Sequence, residues 1–277
     1  MATKYYAVVV TYNSRVDEAE TCHNLVGISG HDISIVIFDN SDQPSFTKHN
    51  QTVSEERGWT YITEGKNIGL SKAYNKVLDF LSDRDGVLIW FDDDSHVTQE
   101  YFDTLEASLS NGADIYAPVI QAQNGNFYSP NEAGYLMYKQ LKNADDPVRN
   151  DKFNCINSCT AIKLEVFKDY RYDENLFLDQ IDHDFCRSQR LRNKTFYKLP
   201  VIINHNFSLK NHMSSVAAVK RRYELLIPDF IKYCRKQGFI KSKLAYVKIF
   251  AWGVEQSLKY KDWSILTWMI KFSIGNK

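Results

Sequence analysis

The chain has 277 residues with 34 Lys plus Arg against 34 Asp plus Glu, so its overall charge argues for no anionic partner and any basic surface must be local. That length suits one large α/β domain with an extension, or two small domains, and an aromatic share of 14% with no repeat or Pro- or Gly/Ser-rich linker is globular. Five scattered cysteines, odd in number, argue against a secreted disulfide framework, and Cys155 and Cys159, four apart with no second pair, read as small buried residues. No charged-then-apolar leader precedes Tyr5, and no apolar run reaches the ~18 to 20 residues that span a bilayer, so the chain is expected in the cytoplasm.

Tyr5 to Asn13 is a continuous apolar, β-branched run, the signature of a strand buried on both faces of a parallel sheet. A helix from about Arg15 to Val26 follows, then a strand over Ile33 to Phe38 ending at Asp39-Asn40-Ser41, and a shorter strand over Trp59 to Thr63. Leu70 to Leu81 reads as a helix, Val87 to Phe91 as a strand, Tyr101 to Leu109 as a helix and Asp114 to Val119 as a strand. Such alternation predicts a mostly parallel, doubly wound sheet, whose ligands gather at the carboxyl ends of the strands. Polar clusters occupy those ends. From Gln121 to about Lys152 the alternation stops and the segment reads as loop or lid; Phe153 to Ile162 then resumes as a strand. Leu176 to Asp179 leads into a helix carrying Asp182, Asp184 and Arg187, a strand over Phe196 to Ile203 ends in Asn204-His205-Asn206, and the chain after about Met213 is helical.

The Val87 strand runs straight into Asp92-Asp93-Asp94. Residues two apart on an extended chain point the same way, so Asp92 and Asp94 converge while Asp93 looks elsewhere. Two ionised carboxylates so close repel each other unless a hard divalent cation sits between them. The alternative is a solvated strand-to-loop turn, with Thr98 capping the next helix.

In order and spacing, Val9-Val10-Thr11-Tyr12-Asn13, Asp39-Asn40-Ser41, Asn67-Ile68-Gly69-Leu70-Ser71, Phe91-Asp92-Asp93-Asp94-Ser95 and Leu176-Phe177-Leu178-Asp179-Gln180-Ile181-Asp182-His183-Asp184-Phe185 form a recognisable set. With Ala73-Tyr74-Asn75 they resemble the family-2 glycosyltransferases of the GT-A fold, nearest to the bacterial rhamnosyltransferase and galactofuranosyltransferase-like branch that builds surface polysaccharides. The likeness covers about residues 5 to 225. It implies a Rossmann-like, mostly parallel central sheet flanked by helices with a C-terminal helical extension. It further implies metal-dependent, inverting transfer of a sugar from a UDP- or dTDP-sugar to a hydroxyl of a glycan or lipid-linked oligosaccharide.

Carried onto this sequence, the resemblance gives a nucleotide-sugar set of Thr11, Tyr12, Asn13, Asp39, Asn67, Gly69, Asn75, Asp92, Asp93 and Asp94. Asp39 would accept from the ring N3–H that uracil and thymine offer and cytosine lacks; otherwise it closes a turn on nearby backbone amides. Asp92 and Asp94, the ends of a DXD motif, would hold Mn²⁺ or Mg²⁺, with His205 as third ligand and His212 the fallback. The helix opening at Asn67 to Ser71 offers amides to an anion. For the general base the position matched is Asp182, with Asp179 its competitor. On a helix Asp182 and Asp184 lie about 200° apart, and Asp184 is expected to pair with Arg187 or Arg190. Arg221-Arg222 resembles a late segment that approaches phosphates, or is a solvated helix face. The family's rhamnosyltransferases often carry Gln where Asp93 stands, which weakens a donor assignment from that branch.

These expectations divide the chain into a catalytic domain over 1–212, with a nucleotide-sugar half (1–120) and an acceptor half (121–212), and a helical extension over 213–277. In the extension, Leu244, Val247, Ala251, Val254 and Leu258 share one helical face, followed by an apolar stretch from Trp263 to Phe272. Two destinations fit that tail: docking on its own domain or a dimer partner, or peripheral contact with the inner face of the plasma membrane. No nucleic-acid partner is implied. Two other functions stand beside the transferase: a catalytically silent nucleotide-sugar-binding subunit, and a nucleotidyltransferase. The second calls for a Gly-rich, basic loop after the first strand, where this chain has Thr11-Tyr12-Asn13-Ser14-Arg15.

Overall fold

The computed structural model describes residues 3–135, 137–205 and 215–275. Its centre is a mixed sheet in the order β11-β5-β10-β4-β1-β2-β3. The strands are β1 (Lys4–Thr11), β2 (Asp32–Asp39), β3 (Thr60–Thr63), β4 (Val87–Asp92), β5 (Ile115–Ala122), β10 (Ala161–Lys163) and β11 (Phe196–His205), with β6 (Phe127–Ser129) paired to β5. Strands β1 to β4 are parallel, and β5 pairs in parallel with β11.

Alternate residues of β1 feed opposite cores, as a sheet covered on both faces requires. Tyr6 and Val8 pack with Ala73, Tyr74 and Val77 of α3 (Leu70–Phe80) and with Phe185 of α5 (Ile181–Leu191). Tyr5, Ala7 and Val9 pack with Cys22 of α1 (Glu20–Gly27), Val53 of α2 (Pro44–Glu56) and Phe102 of α4 (Gln99–Ser108). Because β2 lies on one side of β1 and β4 on the other, the strand order reverses at β1. The crevice formed there opens at the carboxyl ends of β1 and β4, with Val10 opposite Asp92 and Thr11 opposite Asp39.

Several expectations are corrected. The helix placed from Arg15 begins only at Glu20, because Val16 N–H is drawn to the Asn50 side chain at 3.1 Å. Helix α2 was not foreseen; it opens with Pro44 at its first turn, and Val53 is its one buried aliphatic side chain. The strand expected over Phe153 to Ile162 is two short ones, β9 (Phe153–Asn154) and β10, and β10 runs antiparallel between β4 and β5. The segment after Gln121 is less loop than expected: besides β6 it forms β7 (Asn131–Ala133) and β8 (Tyr138–Lys139), which join β9 in a second small sheet.

The C-terminal helices are α6 (Val216–Arg235), α7 (Phe239–Tyr260) and α8 (Ser264–Gly275). They share a core of their own around Val219, Ile227, Ile249, Ile265 and Met269. Tyr233, Cys234 and Ala245, however, belong to the core of the main sheet. Among the described residues no helix is long and apolar enough to cross a membrane.

At the end of α6, Lys236 joins the two parts, with its Nζ 2.9 Å from Asp173 Oδ2 and 2.6 Å from Asp184 Oδ2. The ion pair expected within α5 is therefore made across helices, while Arg190 instead donates to the carbonyl of Phe153. Burial would raise the Asp173 carboxyl, but Lys236 and the Asn175 backbone amide outweigh it and hold it below the ordinary carboxylate range. A lowered folded-state pKa adds stability above the unfolded value, and that stability is lost as the pH falls through the folded one. Asp173→Asn is thus expected to lower the melting temperature at neutral pH, with the gap to wild type closing as the pH is taken below the carboxylate range. Thermal melts across pH check this; a gap constant with pH would assign the loss to packing.

Candidate active site

A cavity of about 830 Å³ opens at the crevice. Its floor is the acidic turn after β4, whose shape is fixed by a buried threonine. Thr21 donates its backbone N–H to Asp93 O at 3.2 Å and its hydroxyl to Asp92 O at 2.6 Å, and its Oγ1 accepts from Ser95 N–H at 2.8 Å. Thr98 then caps α4, accepting from Tyr101 N–H, so the capping expected on sequence grounds exists alongside the carboxylates. All three aspartates line the cavity. Asp93 turns toward Thr11, whose hydroxyl lies 3.4 Å away. Burial, helped by the charge of Asp94, holds the Asp93 carboxyl above its ordinary range despite hydrogen bonds from Ser14 and Thr11.

The hard oxygens of Asp92 and Asp94 suit a divalent cation. Among the described residues no group of three or more His, Cys, Asp or Glu stands at metal-binding spacing. His205 ends β11 with its backbone opposite Ala122; its side chain and the whole of His212 lie outside the described residues.

At the end of β1, Thr11 and Tyr12 line the cavity. The Tyr12 ring is half exposed, with its hydroxyl 3.1 Å from Asp42 Oδ2. Asn13 does not line it. With φ of 49°, Asn13 instead ties two strand ends together, donating its N–H to Ser41 Oγ at 2.8 Å and its amide to Asp42 Oδ1 at 2.9 Å.

The structure does not bring Asp39 to the cavity either. Its fully buried carboxylate accepts from Ser41 N–H at 3.0 Å, Asn50 Nδ2 at 2.8 Å and the Tyr61 hydroxyl at 2.9 Å. The turn-closing alternative describes these contacts. Asn40 is the residue of this cluster that faces inward, bonded to Asn67 Oδ1 at 3.0 Å and to Ile68 N–H at 2.9 Å.

Asn67 and Gly69 both line the cavity, Asn67 accepting from Gly69 N–H at 3.0 Å. Gly69 has φ of 85°, and a Cβ there would stand 2.9 Å from the Phe177 carbonyl oxygen, so only glycine lets the two segments meet. The first amide of α3, Leu70 N–H, is taken by that same carbonyl at 2.6 Å, and Ser71 Oγ donates to Leu176 O. The helix start expected to offer amides to an anion is therefore partly occupied by the chain itself. Asn75 lies away from the cavity; buried, it holds the 172–174 segment through Tyr172 N–H, Tyr172 O and Glu174.

The opposite wall is Phe177 to His183. Here three carboxylates take three different surroundings. Asp179 is locked by two bonds to Arg222 of α6, at 2.6 and 2.5 Å. Asp184 is buried against Lys236. Asp182 lines the cavity at the first turn of α5, accepts from His183 N–H at 2.8 Å, and has no ion pair among the described residues. Gln180 just before it has φ of 65°, which turns the chain into the helix.

Sequence reasoning missed the ring pair of Tyr138 and His183, stacked at 4.5 Å beside Asp182, because β8 lies in the segment read as loop. It also missed Asp229 of α6, whose buried carboxylate accepts the N–H groups of Phe177, Leu178 and Asp179 at 2.8 to 3.0 Å.

Residues 6–171, more than half of the chain, match the family model described as glycosyl transferase family 2. The chain belongs to glycosyltransferase family 2. A comparison with curated proteins found no match. Among solved structures, this chain is similar to GalNAc-T7 with UDP, GalNAc and Mn²⁺, at TM-score 0.61 and 16% identity over 99% of this chain and 57% of that one. It thus spans little more than half the length of that relative. A second is the mannosyltransferase PcManGT from Pyrobaculum calidifontis in complex with GDP-Man and Mn²⁺, at TM-score 0.59 and 11% identity over 100% of this chain and 87% of that one. A third is S. aureus TarS 1-349, at TM-score 0.54 and 14% identity over 99% and 71%. At these identities the likeness shows the fold, GT-A, and the chain shares it over its whole described length.

Proposed function

We propose that this glycosyltransferase moves a sugar, with inversion, from a UDP- or dTDP-sugar to a hydroxyl of a glycan or lipid-linked oligosaccharide in bacterial surface polysaccharide synthesis. The observation that carries the chemistry is the contrast along Asp179 to Asp184. Two of the three carboxylates are committed to cations, and Asp182 faces the cavity with no ion pair among the described residues, with Asp92 and Asp94 on the same cavity. An uncommitted carboxylate can accept the proton of an acceptor hydroxyl as that oxygen attacks the anomeric carbon. The new C–O bond forms on the face away from the departing diphosphate, the old one breaks, and the proton rests on Asp182.

Asp92 and Asp94 would hold Mn²⁺ or Mg²⁺, with His205 a third ligand; a bound cation supplies neutralisation of the diphosphate charge. Similar solved structures that carry Mn²⁺ support this assignment. Arg222, the one Lys or Arg among the described lining residues, adds positive charge to that wall. Tyr12 offers a face for base stacking, Asn67 and Gly69 shape the donor side, and His183, stacked on Tyr138, lines the cavity beside Asp182.

In this reading, residues 1–212 do the chemistry and 213–277 brace it. The rhamnosyl- or galactofuranosyl-type donor rests on the resemblance that the five motifs carry together, against which Asp93 counts. Selection of uracil or thymine by Asp39 requires its carboxylate, fully buried and off the cavity, to be opened to the base. The relatives named above carry UDP in one case and GDP-Man in another, so they do not choose the base.

Thermal stabilisation by UDP, dTDP, GDP and CDP, each with Mn²⁺ or Mg²⁺ and again with EDTA, tests the donor site. UDP or dTDP is expected to raise the melting temperature only with metal. At ligand about 100-fold above its dissociation constant the gain is about 2.7 kcal/mol, and Asp94→Ala is expected to abolish it. Stabilisation by GDP alone would overturn the base assignment, and stabilisation unaffected by EDTA would overturn the metal one.

A further inference from the structure

Helix α7 is built inside out. The face it buries is small or polar, with Ala245, Gly253, Gln256 and Ser257 beside Ile249. The face it leaves in water is apolar: Ile240, Val247 and Leu258 are each more than 60% exposed, and Phe250 is half exposed. At about 100° per residue, Ile240, Val247, Val254 and Leu258 lie within about 40° of one another. Val247, Val254 and Leu258 belong to the stripe that sequence periodicity marks out, and that stripe does not serve the core.

Helix α8 continues the pattern. It closes on α7 where a Cβ on Gly253 would meet Leu266, and Leu266 N–H donates to Ser257 Oγ at 3.1 Å. With that seam fixed, Trp263, Ile270 and Ile274 remain exposed on its outer side. Two adjoining helices each presenting an apolar outer stripe mark an interaction surface rather than scattered apolar residues.

Charge identifies the occupant. Residues 239–275 carry six Lys against Glu255 and Asp262, in a chain that is balanced overall. Lys243, Lys248, Lys259, Lys261 and Lys271 are exposed around the stripes. A second copy related by two-fold symmetry would bring this basic face against itself. An anionic surface would be attracted to it, and Trp with Lys around an apolar stripe is the composition that settles at a lipid interface. We propose that α7 and α8 dock the protein on the surface of an anionic lipid bilayer, lying in its interface without crossing it. The inference does not depend on the reaction assigned to the cavity.

Flotation of the full chain with phosphatidylcholine vesicles, with and without phosphatidylglycerol, tests it. The wild type is expected to float with the anionic vesicles at low salt, to be released as salt rises, and to ignore phosphatidylcholine alone. Val247→Glu with Leu258→Glu, both on the solvent face, is expected to cut the partition about tenfold or more while leaving the melting temperature unchanged. A wild type that ignores anionic vesicles at low salt overturns the proposal. So does a dimer by sedimentation that this double substitution converts to monomer, since a second copy would then cover the face. Neither readout involves nucleotide or turnover, so the proposal can fail while the donor site stands.

Discussion

Asp182→Asn is expected to reduce turnover by about 10²- to 10⁴-fold while nucleotide-dependent thermal stabilisation stays as in wild type. The substitution keeps shape and the hydrogen bond from His183 N–H, because an amide oxygen can still accept it. What it removes is the capacity to take a proton. Because Asp182 has no cationic partner among the described residues, Asn leaves no buried charge unpaired, and little stability should be lost. Asp179→Asn is the contrasting control. It strands Arg222, a guanidinium held by two short bonds, so it is expected to lower stability and turnover together. Single-turnover kinetics beside melting curves separate the cases. Full turnover in Asp182→Asn would move the proton transfer elsewhere, to Asp179 first.

The fold was legible where residues act along one strand or helix. Buried parallel strands are written as apolar runs, and their polar ends gave the positions of Thr11, Asn67 and Asp92 to Asp94 around one cavity. What could not be read depends on partners distant in the chain. Asp39 looks like any strand-end carboxylate until Asn50 from α2 and Tyr61 from β3 arrive to occupy it. Helix α2 itself gives almost no apolar signal, with one buried aliphatic residue in its thirteen. Strand β10, three residues long, is too short for periodicity to reveal, still less its antiparallel direction. On α7, periodicity says which residues share a side and not which side meets the core.

The same limit explains Asp229, and the consequence of removing it is expected to be large. A carboxylate inside a helix, one residue after Pro228, reads as a solvated charge. In the structure it is almost fully buried and receives three consecutive amides from the segment between Leu176 and the start of α5. That segment carries Asp179, and its Phe177 carbonyl receives the first amide of α3, so Asp229 supports both walls of the cavity. In Asp229→Ala the three N–H groups lose their acceptor. At about 1 to 3 kcal/mol per unsatisfied donor, part of it recovered by water, the expected loss is about 3 to 5 kcal/mol. For a chain of this size that corresponds to a fall of roughly 5 to 9 °C in melting temperature. Asp229→Asn keeps one oxygen acceptor but turns an amide donor toward N–H groups, so it is expected to fall between wild type and Ala. Turnover should follow the same order, because the Asp179–Arg222 pair loses its backbone support. Urea unfolding of the three proteins with turnover measured on each checks the ranking. If Asp229→Ala unfolds with wild type and retains turnover, α6 packs against the cavity wall without organising it.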